Sequence, residues 1–159
     1  MNRIPEIIKN MRRKKDDGAD NAKVTDAQKT GIWGEELAAE YLETKGFKII
    51  GRRIRIRRYE LDIVALREVD ARKMIVFVEV KTRKSDMFGG GRAALDKRKR
   101  HALCRAAAHY MRKLPPTPFR FDLVEIIGQR DSPISPVIRH YMNAFPMELR
   151  YTHTGLHKR

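Results

Sequence analysis

The chain has 159 residues, a formal net charge of +15 and one cysteine, Cys104. That length suits one domain with tails, and so basic a balance points to a polyanionic partner, nucleic acid before an anionic membrane surface. A lone cysteine excludes an intrachain disulfide framework, no run approaches the ~20 apolar residues of a membrane span, and no apolar signal core opens the chain, so a cytoplasmic, reduced protein is expected.

Residues 1–28 read as a basic, disordered tail. Arg12-Arg13-Lys14-Lys15 runs straight into Asp16-Asp17-Gly18 without apolar periodicity. Such a tail either adds affinity for phosphates or is simply solvated. The folded domain is expected over 29–146, with a second tail at 147–159.

The first helix is predicted over 29–46. Trp33, Leu37 and Tyr41 form a four-spaced row flanked by Ala38 and Leu42, and Gly46 suits the stop. Glu36, Glu40 and Glu43 line the outward face. Glu35 sits at the edge of the buried stripe. It is either a carboxylate favoured by the helix dipole or one able to reach a metal.

A strand is predicted over 47–57. Arg52, Arg53, Arg55, Arg57 and Arg58 interleave with Ile54 and Ile56, which suggests one cationic face. Arginine's planar fork suits phosphate, and charge also protects an edge strand from aggregation.

Tyr59-Glu60-Leu61-Asp62-Ile63-Val64 opens a second strand, predicted over 59–67, with Glu60 and Asp62 on one face. A third, over 73–82, is apolar and β-branched at Val76-Phe77-Val78 and should be buried on both faces. It then presents Glu79 and Lys81 at a spacing of two, hence side by side. The short link between these strands predicts an antiparallel hairpin. An acid beside Glu-x-Lys is the frame of a divalent-metal phosphodiesterase site. The same residues could instead form a salt-bridge cluster sealing the sheet end.

Gly89-Gly90-Gly91 closes a loop that either approaches a phosphate or merely connects. A helix follows over 92–114, with Leu103, Ala106, Ala107, Tyr110 and Leu114 on its apolar side. Lys99 lies in line with that side, four before Leu103. Lys97 adds to the positive charge of the first half, and Arg98, Arg105 and Arg112 form an outer basic stripe. Pro115-Pro116 ends the helix. A strand over 119–127 carries Asp122, expected to pair with a neighbouring arginine. Residues 138–145 add a short strand or helix. His153 and His157 of the tail read as spectators.

Four motifs now stand in order: Gly31-x-x-Gly34-Glu35-x-x-Ala38-x-x-Tyr41-Leu42, Glu60-Leu61-Asp62-Ile63-Val64-Ala65, Val76 to Arg83, and Arg120-Phe121-Asp122. Together they resemble the YraN-like proteins, predicted endonucleases related to archaeal Holliday-junction resolvases in the PD-(D/E)xK nuclease superfamily. The resemblance runs from about Gly31 to Phe145. It implies an α/β, restriction-endonuclease-like fold, a central mixed β-sheet flanked by helices with an αβββαβ core. It also implies that Glu35, Asp62, Glu79 and Lys81 occupy the nuclease positions, with Lys99 as an outer member. Two departures stand out. Family members carry a glycine pair where this chain has Arg58-Tyr59, and an asparagine where it has Arg53.

Two functions remain open at this stage. One is a Mg²⁺- or Mn²⁺-dependent endonuclease acting on DNA, branched or damaged, with Asp62 and Glu79 as ligands and Glu35 direct or through water. The other is a binder of DNA or RNA that keeps the nuclease fold without cutting. No membrane partner is expected, and a homodimer is left open.

Overall fold

The computed structural model describes residues 24–85 and 95–151. The tail before residue 24, the triple glycine, the start of the second predicted helix at 92–94, and the two tail histidines lie outside them.

Helix α1 spans Asp26–Thr44. It starts three residues before the apolar periodicity suggests, because Thr25 and Gln28 form a reciprocal capping box. Thr25 accepts from the Gln28 amide at 3.2 Å, and the Gln28 side chain accepts from the Thr25 amide at 2.8 Å. Gly46, at φ +80°, turns the chain out of the helix as its position predicted.

The strands are β1 (Phe47–Ile56), β2 (Tyr59–Val69), β3 (Arg72–Arg83), β4 (Phe119–Ile127) and β5 (Val137–Phe145), with helix α2 (Lys97–Met111) between β3 and β4. Asp96 caps α2 by accepting from the Lys99 amide at 2.7 Å. The sheet order is β1-β2-β3-β4-β5. Only β3 and β4 run parallel, joined across α2; every other neighbouring pair is antiparallel. This is a mixed α/β sheet flanked by helices, consistent with a restriction-endonuclease-like core, and the expected β2–β3 hairpin is present. Residues 138–145 resolve to a strand.

The sheet is covered on both faces. Leu103, Ala106, Ala107 and Tyr110 of α2 pack with Val64, Ile75, Phe77 and Leu123, while Ala38 and Leu42 of α1 pack with Ile63, Ala65, Val76 and Val78. β3 is therefore apolar on both sides, as its uninterrupted run predicted. Fully burying each large side chain of this kind contributes about 1.5–3 kcal/mol.

Two local features position the site. A Cβ on Gly34 would lie 2.0 Å from Thr82 Oγ1, so only glycine lets α1 approach β3 this closely, and Glu35 is seated by that contact. At the β1–β2 turn, just before Arg58-Tyr59, Arg57 takes the left-handed conformation at φ 57°. A non-glycine residue there costs on the order of 1 kcal/mol. The strand thus ends at Ile56, one residue short of expectation, and Arg57 belongs to the turn.

Candidate functional site

The β2–β3 ladder stops at the Ile63–Val78 pair. Asp62 lies just beyond it, and its Oδ2 accepts from the Val80 amide at 2.9 Å, so a carboxylate stands where the next backbone carbonyl would pair. Strand alternation breaks at the same place. Leu61 packs into the α2 layer and Ile63 into the α1 layer, although alternation would give both the same face. Across the sheet, between the Arg52–Ile63 and Ile54–Leu61 pairs, Arg53 takes φ 48°. The irregularity on both strands opens the sheet around Asp62.

Glu79 follows the apolar run of β3 on the α2 face and is 7% exposed. Its Oε1 lies 2.8 Å from Lys99 Nζ. Its Oε2 is buried and has no hydrogen-bond donor. The negative charge of Asp62 acts on the same Glu79 carboxyl. Burial, then the negative charge of Asp62, pushes Glu79 up to about 8, with Lys99 offsetting part of the rise. Burial and the neighbouring charge thus favour the protonated Glu79, and a cation bound there would displace that proton.

That orphaned oxygen beside a second carboxylate is the observation against which a divalent metal can be tested, and it fits. Both donors are hard oxygens, and Mg²⁺ keeps several waters, so two carboxylates suffice for it. No group of three or more acidic, histidine or cysteine side chains converges among the described residues. Glu35 is instead engaged by Arg53, whose Nε and Nη2 donate to its two oxygens at 2.8 and 3.2 Å. Burial raises the Glu35 pKa, and the guanidinium limits the rise.

Lys81 shares the α2 face of β3 with Glu79, is exposed, and makes no ion pair among the described residues. Lys99, expected at the margin, is the closer cation. Beside Lys81 in the parallel ladder stands Glu125. Fully buried, it meets Arg83 at 3.1 Å and Arg139 at 4.0 Å. Its role was not foreseen, though a glutamate inside an apolar strand was the available signal.

The basic residues divide. Arg55 pairs with Glu60 at 2.9 Å, and Arg53 with Glu35, so β1 does not present the single cationic face its spacing suggested; the left-handed backbone at Arg53 and the acids opposite it are the reason. Arg52, Arg57, Lys97 and Arg98 are exposed. Arg105 lies over the Tyr59 ring, with its guanidinium carbon 5.5 Å from the ring centroid, and Arg58 lies 5.3 Å from the same ring. Asp122 pairs with Arg120 as expected, at 2.8 and 3.0 Å, and also with His140 at 2.9 Å, a partner no local spacing announces.

No helix among the described residues is long and apolar enough to cross a membrane. The profile described as "Uncharacterised protein family UPF0102" matches residues 34–126. A UPF0102 protein of Syntrophomonas wolfei is 42% identical over 117 residues, covering 72% of this chain and 96% of that protein. One from Trichlorobacter lovleyi is 38% identical over 122 residues, covering 76% of this chain and 92% of its own. The matched region contains Glu35, Asp62, Glu79, Lys81 and Lys99, and the chain belongs to the UPF0102 family, the YraN-like group its motifs resemble.

Proposed function

We propose that the protein is a metal-dependent endonuclease-like phosphodiesterase acting on DNA. The observation carrying this reading is the Glu79 carboxylate: buried, with one oxygen on Lys99, the other without a hydrogen-bond partner, and the charge of Asp62 acting on it. A site built only for stability would satisfy that oxygen, since a buried polar atom left unpaired costs about 1–3 kcal/mol.

Asp62 and Glu79 would hold a Mg²⁺ or Mn²⁺ ion, which supplies an activated water and charge neutralisation at the phosphorus. The chain's own residues do the rest. Asp62 is fixed in place by the Val80 amide. Glu79 would hold the ion in its deprotonated form. Lys81, free on the same face, binds a non-bridging phosphate oxygen and stabilises the negative charge that builds as water attacks. A new P–O bond forms to the water oxygen, which gives up a proton to solvent, the P–O bond to the sugar breaks, and the departing alkoxide takes a proton from solvent. Lys99 holds Glu79 in place and makes up for the second negative charge. Exposed Arg52, Arg57, Lys97 and Arg98 bind the flanking phosphates, so affinity falls steeply with salt.

The test is cleavage of branched and linear DNA with Mg²⁺ or Mn²⁺ by wild type, Asp62→Asn and Lys81→Ala. Both variants should lose activity while binding DNA as before, and Lys81→Ala should still bind the metal. Cleavage that persists in both would sink the proposal. A second reading, a nucleic-acid binder that does not cut, is favoured by one specific contact. The Arg53 fork on Glu35 leaves two carboxylates where three were expected. It predicts wild-type DNA affinity with no cleavage under any metal.

A further inference from the structure

At the opposite end of the sheet lies a cleft of about 920 Å³, in the size range of small-ligand sites. It is bounded by the C-terminal turn of α1, the start of β1, the β2–β3 hairpin and the starts of β3 and β4. Met74 and Glu79 are five residues apart on β3, so the cleft and the carboxylate pair are separated by about 16 Å of strand. They also use opposite faces, since Met74 packs with the α1 layer.

Five cationic side chains line this cleft, Lys45, Arg67, Arg72, Lys73 and Arg120, against one carboxylate, Asp70. Lys73 is partly answered by Glu68 at 3.9 Å, and Arg120 is committed to Asp122. Arg72 is exposed and makes no ion pair among the described residues. The floor is aromatic. His140 meets Tyr41 edge-on with centroids 5.8 Å apart and Phe47 at 5.7 Å. Arg67 lies flat enough over Phe47 to bring its guanidinium carbon 4.8 Å from the ring centroid, and donates to the Lys45 carbonyl. Apolar Val69 and Met142 stand at the mouth, 53% and 62% exposed.

The floor is fixed from below. Asp122 is fully buried and receives Arg120, His140 and the Asn143 amide. Burial pushes its pKa up, but these donors outweigh burial and hold it below the usual carboxylate range. A carboxylate so saturated pins both the guanidinium and the imidazole that face the cleft.

Cations around a rigid floor of rings, with a guanidinium stacked on one of them, match a ligand that carries phosphate and a flat heterocycle together. We propose that this cleft binds a nucleotide, its phosphate on Lys45 and Arg72 and its base against the Arg67 plane and the Tyr41–His140 edge. The nucleotide is either a free monophosphate or one unstacked residue of a single strand. The proposal does not depend on the Asp62–Glu79 chemistry and is measured without it.

Calorimetric titrations in EDTA would use thymidine monophosphate, hexathymidylate, an abasic hexamer and inorganic phosphate. Wild type should bind at least one thymidine ligand about tenfold more tightly than its base-free counterpart, abasic hexamer or phosphate, which is the scale of one base stacked on such a platform. Preference for the monophosphate identifies a free nucleotide, and binding of the hexamer alone identifies a strand. Lys45→Ala and Arg72→Ala, both at exposed positions, should each weaken that binding about fivefold, as loss of one charge-assisted phosphate contact does, whereas Asp62→Asn should leave it unchanged. Equal binding of thymidine and base-free ligands, or no effect of the two cleft variants, would overturn the proposal whatever the outcome of the cleavage assays.

Discussion

Lys99 reaches from the first turn of α2 to Glu79 at the end of the apolar run of β3, 2.8 Å from Oε1, and leaves Oε2 without a donor. One ammonium therefore answers one oxygen of two crowded carboxyls. The remaining oxygen, with the charge of Asp62 acting on the same carboxyl, makes the pair respond to any added cation, whether proton or metal.

Removing Asp62's charge should relieve that crowding. Asp62→Asn keeps an oxygen to accept from the Val80 amide and loses the repulsion on Glu79. Without divalent ions its melting temperature should equal or exceed that of wild type. With Mg²⁺ at a hundred times its Kd, wild type should gain about 2.7 kcal/mol and the variant nearly nothing. A large loss of stability in metal-free buffer, about 3–5 kcal/mol as for a broken buried pair, would show a purely structural cluster.

The pH dependence follows from Glu79, pushed up to about 8 in the fold from an ordinary carboxyl value of 4.5. The folded state holds the proton more tightly, so this contribution to stability is fully present below about 4.5 and is lost as pH rises through about 8. Across that window wild type should lose up to about 1.4 kcal/mol per pH unit relative to Glu79→Gln, followed by urea unfolding. Mg²⁺ affinity should rise with pH and level off above about 8, because the metal competes with the proton. Parallel stability profiles for wild type and variant would disprove the proton on Glu79.

Asp122 behaves oppositely, being ionised and saturated with donors. Asp122→Ala strands Arg120 and His140 and should cost about 3–5 kcal/mol in denaturant unfolding, with no recovery on adding Mg²⁺. A loss below about 1 kcal/mol would mean that the buried cluster contributes little beyond packing.

The approach of α1 to β3 is tested by a double-mutant cycle. Gly34→Ala drives a methyl into Thr82 Oγ1 and should destabilise by about 1–3 kcal/mol. Thr82→Ala removes that atom, so the double variant should regain most of the loss, a coupling above about 1 kcal/mol. Simple additivity would mean that the helix shifts freely, and Glu35 with it.

Much of this arrangement was legible in the chain. β3 was readable because burial on both faces leaves an unbroken apolar run, and Glu79 and Lys81 stood out against it. α1 was readable from its four-spaced row, though its start depended on Thr25 and Gln28, which bond to each other and bury nothing. The pairing of Lys99 with Glu79, the two partners of Glu125 and the meeting of His140 with Asp122 were not legible. Each joins side chains from elements far apart in sequence, and periodicity records only which face a residue takes, not which stranger stands opposite.

Arg53 holds a left-handed backbone, at φ 48°. Asparagine tolerates φ near 48° far better than arginine does, so the arginine here suits Glu35 rather than the backbone. Arg53 is thus a latch: it trades conformational ease for a fork that keeps a third carboxylate closed off. Arg53→Asn should ease the backbone, unlatch Glu35 toward Asp62 and Glu79, and tighten Mn²⁺ binding measured by electron paramagnetic resonance. Unchanged Mn²⁺ affinity would mean that Glu35 has no business with the metal, latched or not.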